Sequence, residues 1–420
     1  MPSQDRIDAG CCMCTNLLVI GASSRSFAES ACRASMTVSA IDLFGDRDLV
    51  AACQQSLRLP RDEYPHGFLQ AAAQLPPGPW VYGGGLENHP HLLDQLAAVR
   101  PLAGNTGRQT VLVRDPDRLA VLAKRAGFQF PATFRTPSGV PADGSYLLKP
   151  LASAGGLGVM AWRGGLTTAG RGDACWQQQM SGQVMSASLL LGPRQGELLG
   201  FCRQLIGHRW GSGIPFGFCG AVEQPLQLYA DKVRDRFHRL AHLLADELGL
   251  RGLVGVDFIL PRMGHGETPV VLEINPRPTA SMELIDRRLG GSLAARHVAA
   301  CGLRLAGPLT GQSAYPKSVV WAKLILMSQQ PVTITAAKDS LLDASLAATR
   351  AADEGCWPLL ADRPCWGSRI ERRRPIMTVF AAAASPAVAL SRLRSRAEIV
   401  RSVLQAERNR RWKPGDQLTG

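Results

Sequence analysis

The sequence predicts an α/β protein of two or three domains, and three observations carry that prediction. Between Asn16 and Asp42 a short branched strand, a turn, a helix and a second strand ending in an acid follow one another, the order of an open parallel sheet. Two apolar runs, Leu253–Leu260 and Val270–Ile274, flank a Pro/Gly-rich connection and read as antiparallel strands. The 420 residues are enough to bury several cores.

Composition narrows the function classes. No apolar run approaches the roughly 18 residues of a membrane span, so no membrane partner is expected. Ahead of Asn16 the chain carries Asp5, Arg6 and Asp8 and then Cys11, Cys12 and Cys14, without an apolar segment long enough for a secretory signal. A cytoplasmic location follows. The 11 Cys are odd in number and scattered, unlike a secreted disulfide framework. The Cys11, Cys12, Cys14 group has no second Cys/His pair at zinc spacing and reads as a loose, reduced N-terminus.

The formal charge of +13 suits a polyanion. Its excess is mostly Arg, gathered in Glu371–Arg374 and Arg392–Lys413, without the aromatic alternation of a base-stacking surface. A solvated surface able to attract a polyanionic substrate is expected, and no nucleic acid partner.

Taken in order, Asn16–Gly21 is a buried strand, Ser23–Ser35 a helix and Val38–Leu43 a strand. Gly21 is followed by Ala-Ser-Ser-Arg, so the glycine fingerprint of a dinucleotide site is missing. Ser23, Ser24 and Arg25 remain placed to bind an anion at a helix N-terminus. Trp80–Leu86 is a strand entering three glycines, with Glu87 and Asn88 at the edge where open sheets hold ligands. Leu92–Val99 is helical. Asp115 caps a helix that Pro116 opens and Gly127 ends.

Tyr146–Lys149 is an apolar strand ending in a lysine, rare in this Arg-dominated chain. The loop Ser153–Gly158 follows it, with Gly155, Gly156 and Gly158. A point charge beside unhindered backbone N–H groups is the arrangement that holds triphosphates. Trp176–Met180 and Ser186–Leu191 read as strands, and Tyr229–Leu248 as an amphipathic helix capped by Gly249. His208, in the Gly/aromatic run Gly207–Gly220, is read as structural rather than as a general base.

Side chains alternate along a strand, so Glu273 and Asn275 face the same way. A hairpin symmetric about His265 sets Asp257 opposite Glu273. Two facing carboxylates repel unless a cation lies between them. Asp257, Glu273 and the Asn275 carbonyl are hard oxygen ligands suited to Mg2+ that also holds phosphate. Asn-Pro-Arg-Pro follows directly, and an exposed turn has no need of Arg277.

These motifs, an acid at Asp257 and then Glu-x-Asn from Glu273 to Asn275, resemble the ATP-grasp superfamily of carboxylate-amine and carboxylate-thiol ligases. The likeness is specific between about Tyr146 and Ser281. It implies a flexible segment 1–15, a pre-ATP-grasp α/β domain over 16–110, an ATP-grasp domain of two α+β lobes over 111–307, and a small β-rich C-terminal domain with a basic tail over 308–420. In that segment Ser318–Leu326 and Pro375–Ala381 read as strands and Leu390–Glu407 as a helix, while Cys356 and Cys365, each followed by Trp, are read as packed side chains ahead of a disulfide pair or a metal site. The cofactors implied are ATP and Mg2+ or Mn2+.

By the same resemblance, Lys149 contacts the α/β-phosphates and Ser153–Gly158 is a lid. Gln178, Gln179 and Met180 form the strand that reads adenine, and Arg114 replaces a nucleotide-contacting lysine. Asp257, Glu273 and Asn275 hold the metal, while Asn275 and Arg277 serve the chemistry, Arg277 balancing charge on an acyl phosphate. The activity implied joins a small carboxylate to a small amine, with similarity to predicted carboligases of tetrahydromethanopterin- or methanofuran-type C1 carriers. A homo-oligomer is compatible with it. The competing readings are a nucleotide-sensing or polyanion-binding protein on the same fold, and a phosphotransferase.

Overall fold

The computed structural model describes residues 16–165, 174–193, 195–261, 268–303 and 319–405. The cysteine group at Cys11–Cys14, the linker Pro308–Pro316 and the basic tail beyond Gln405 lie outside the described residues. No helix among those described is long and apolar enough to cross a membrane.

Four parallel strands open the chain, ordered Gln55–Arg58, Thr37–Asp42, Asn16–Ile20, Trp80–Tyr82. Branched residues buried on both faces fit such a sheet, with helices Arg25–Arg33 and Pro90–Val99 among those covering it. The strand order reverses beside Asn16–Ile20, so Gly21 and Gly83–Gly85 meet at one carboxyl edge, where ligands of open α/β sheets bind.

The middle of the chain supplies two lobes. A small antiparallel sheet orders Thr133–Phe134, Ala174–Gln178, Tyr146–Pro150 and Met160–Ala161. The large sheet has eight strands: Val270–Asn275, Gly252–Leu260, Gln183–Leu191, Gly196–Ile206, Phe218–Gln224, Val320–Met327, Pro375–Ala383 and Leu360–Ala361. The helix Asp231–Glu247 covers one face of it. Its apolar stripe of Val233, Phe237, Leu240 and Leu244 is buried, and the Phe237 ring lies 5.0 Å from Phe201 and 4.9 Å from Phe258. Burial of one such ring stabilises by about 2–3 kcal/mol.

The C-terminal segment is β-rich, and its longer strands continue the large sheet: Val320–Met327 pairs with Phe218–Gln224 on one side and Pro375–Ala383 on the other, while Val332–Thr333 and Arg369–Ile370 pair in a small sheet of their own. Helices Ala336–Ala347 and Pro386–Gln405 back this half. Arg396, fully buried in the second, pairs through both terminal nitrogens with Glu354 at 2.5 and 2.6 Å. The N-terminal helix is fixed to both other parts by one guanidinium. Arg25 is 1% exposed and bonds Glu283 at 2.6 Å, Asp362 at 2.7 Å and Glu29 at 2.8 Å.

Candidate active site

The hairpin Gly252–Leu260 and Val270–Asn275 pairs Asp257 with Glu273 and Gly255 with Asn275, the register expected from symmetry about His265. The Asn275 amide donates to Asp257 Oδ2 at 3.3 Å, and the Gln204 amide on a nearby strand donates to Asp257 Oδ1 at 2.6 Å. Burial, and then the Glu273 carboxylate, push Asp257 up to about 8. Desolvation opposes ionisation of Glu273 too, but Lys149 and then Arg114 outweigh it and hold its pKa below the usual carboxylate range. The mutual repulsion of the two carboxylates is what a cation between them would relieve.

That chemistry fits a hard divalent ion. Among the described residues no group of three or more His, Cys, Asp or Glu side chains gathers at metal spacing. Asp257, Glu273 and the Asn275 amide offer hard oxygen donors, two carboxylates and an amide being a number that Mg2+ accepts when phosphate oxygens and water supply the rest.

The opposite wall is the small sheet. Lys149 Nζ lies 3.0 Å from Gln177 Oε1 and 3.5 Å from Glu273 Oε2, so its charge spans the two lobes. The glycine-rich loop after it folds over a second loop: Phe218 N donates to Gly155 O at 3.2 Å. A Cβ on Gly156, whose φ is +80°, would come within 2.0 Å of Phe216 O, so only glycine permits this approach. Arg114 Nη2 donates to Ser153 O at 3.0 Å, and its Nη1 to Asn88 Oδ1 at 2.7 Å and Glu87 O at 3.0 Å. Arg114 thus ties the glycine-rich loop to the N-terminal domain.

The third wall is the edge of the parallel sheet. Arg277, 9% exposed, donates to Glu87 Oε1 at 2.5 Å and to Asn275 Oδ1 at 3.4 Å, and its guanidinium lies against Gly84. Burial disfavours this charge, but Glu87 outweighs burial and the pKa of Arg277 rises. The turn that carries it is seated by Tyr82 Oη and Asn105 Nδ2, which donate to Pro276 O at 3.2 and 2.9 Å. Glu273, Asp257, Asn275, Arg277 and Glu87 therefore form one chain of contacts that starts at Lys149 and closes through Arg114.

The remaining expected residues lie differently. The backbone N–H groups of Gln178 and Gln179 donate to Ala132 O and Ser145 O, both at 2.8 Å. Met180 lies past the end of the strand Ala174–Gln178. His208 Nδ1 is engaged by Ser212 O at 3.0 Å within its own loop, as the structural reading has it. Ser23, Ser24 and Arg25 do not form an anion site: Ser24 bonds Ile41 O and Asp42, and Arg25 is surrounded by carboxylates. Cys356 and Cys365 are free and exposed rather than packed. Sequence reasoning missed Gln177 and Gln204, which orient Lys149 and Asp257. A buried polar residue in an apolar strand is the one signal that marks them.

Residues 118–281 match the model of the ATP-grasp domain, and the chain carries that domain. Its fold is that of carboxylases and ligases of known structure. The biotin carboxylase domain of the Hydrogenobacter thermophilus 2-oxoglutarate carboxylase, a dimer with MgADP, ADP and bicarbonate, is 17% identical with a TM-score of 0.67, over 92% of this chain and 90% of that one. An N5-carboxyaminoimidazole synthetase from Staphylococcus aureus complexed with ADP is 13% identical at 0.64, over 92% and 97%. The biotin carboxylase of Campylobacter jejuni is 12% identical at 0.64, over 91% and 90%. At these identities the likeness is one of fold. No curated protein matches the sequence.

Proposed function

We propose that this protein is an ATP-dependent ligase that activates a small carboxylate as an acyl phosphate and joins it to an amine. The observation that carries the reading is Lys149 facing the Asp257/Glu273 pair across two lobes, within one contact chain that ends at Arg277. Phosphoryl transfer asks for positioning and charge neutralisation rather than a protein nucleophile, and these residues are of that kind. Lys149 binds the triphosphate, seated by Gln177, while the Gly155–Gly158 loop closes over it. Asp257, Glu273 and Asn275 would hold Mg2+ or Mn2+, which when bound neutralises charge on the phosphates. Arg277, oriented by Glu87, faces the charge that develops on the acyl group as the amine attacks. The neighbours crystallised with ADP or MgADP support nucleotide use.

The test is incubation with ATP, Mg2+ and pools of carboxylates and amines, followed by phosphate assay and mass spectrometry of new amides. Phosphate release requiring both partners, with labelled carboxylate oxygen appearing in the phosphate, is expected. ADP formation with a phosphorylated product that persists would make the protein a phosphotransferase. Nucleotide binding without turnover under any pairing would make it a sensor.

A further inference from the structure

Gln204 reaches Asp257, so the adjacent Arg203 projects from the opposite face of the large sheet. There its neighbours on alternate positions pack under two helices: Phe201 against Phe237, and Leu205 with Leu393 of Pro386–Gln405. Two more guanidiniums converge on the same place. Arg209 lies 5.2 Å and Arg394 5.0 Å from the ring of Trp210, which is itself 8% exposed. Among the described residues none of the three has a carboxylate partner, and Arg203 Nε is buried with no hydrogen-bond acceptor. Arg25, Arg114, Arg277, Arg288 and Arg396 by contrast are all engaged. Burial, and then the charges of Arg209 and Arg394, lower the pKa of Arg203. Like charges are crowded here without the counter-charge that would make the arrangement favourable.

We propose that Arg203, Arg209 and Arg394, held around Trp210 behind the sheet that carries the acid pair, form a second anion site that takes a phosphoryl group of a small metabolite. Planar guanidiniums with free forks match phosphate oxygens, and stacking on the indole fixes two of them in place. A nucleic acid strand is the less suitable ligand. Trp210 is covered by the guanidiniums and cannot stack on a base, and stacking platforms are what single strands need.

The test is calorimetric titration of pyrophosphate into the full chain with excess ADP present to fill the nucleotide cleft. One saturable site is expected, with Kd rising at least about tenfold in Arg209→Gln/Arg394→Gln and again in Arg203→Gln. ADP affinity and thermal melting should stay at wild-type values in the double variant, whose two sites are exposed. Absence of saturable pyrophosphate binding, or an unchanged Kd in the double variant, would overturn the proposal. So would a single-stranded oligonucleotide that binds more tightly than pyrophosphate and gains affinity with length.

Discussion

Lys149 Nζ lies 3.5 Å from Glu273 Oε2, although the two residues come from different sheets and 124 positions apart in the chain. The small lobe thus reaches the large one through a charge placed where phosphate and metal would meet. Glu273→Gln and Lys149→Met each remove one side of that arrangement. Both should lower carboxylate- and amine-dependent ATP turnover by about 100-fold or more, measured as phosphate release. Full turnover in Glu273→Gln would refute the assignment.

Gly156→Ala tests the loop. A methyl group at φ +80° facing Phe216 O cannot be accommodated without moving the loop off Phe216 and Phe218. The strain is about 1–3 kcal/mol. It should appear as KM for ATP raised about tenfold, with the circular dichroism spectrum unchanged.

Glu87→Gln leaves the Arg277 guanidinium buried without its counter-charge. Removing one partner of such a pair costs about 3 kcal/mol, softened here because an amide oxygen can still accept. We expect a lower melting temperature together with a fall in kcat and little change in nucleotide affinity, read by ADP titration.

Asp46 gives a pH-dependent outcome. Burial first, and then Asp362, Asp48 and Asp42, push it from 3.8 up to about 8. A carboxyl whose folded pKa is raised keeps its proton in the native state while the unfolded chain releases it. Its contribution is therefore full below the unfolded pKa and is lost as pH rises towards about 8. Asp46→Asn should be as stable as the wild type near about pH 4 and more stable by about 2 kcal/mol or more near about pH 8. Thermal melts across that range decide it, and a constant difference would contradict the cause given.

How much of this was legible depended on whether a residue contradicts its surroundings. Asp257 and Glu273 interrupt apolar strands, and Lys149 is a lysine among arginines, so their kinship could be read from sequence. Gln177 and Gln204 are neutral amides in strands, and what they orient is set by neighbours across a sheet. Arg25 was misread because a helix N-terminus is a local signal, whereas its partners Glu283 and Asp362 lie 258 and 337 positions away. Helix ends followed local chemistry: the Asp115 side chain accepts from the N–H groups of Asp117 and Arg118, and Gly127 ends the helix in a left-handed conformation. The strands Gly196–Ile206 and Phe218–Gln224, by contrast, escape reading because glycines and a long Gly/aromatic loop break their pattern.

Because Val320–Met327 hydrogen-bonds along Phe218–Gln224, the segment from Val320 to Ala383 shields that inner edge and cannot be trimmed like an appendage. A fragment ending at Leu303 would expose the N–H and C=O row of that inner strand and should self-associate through it. Supplied as two co-expressed pieces, the chain should instead reassemble by zipping that seam.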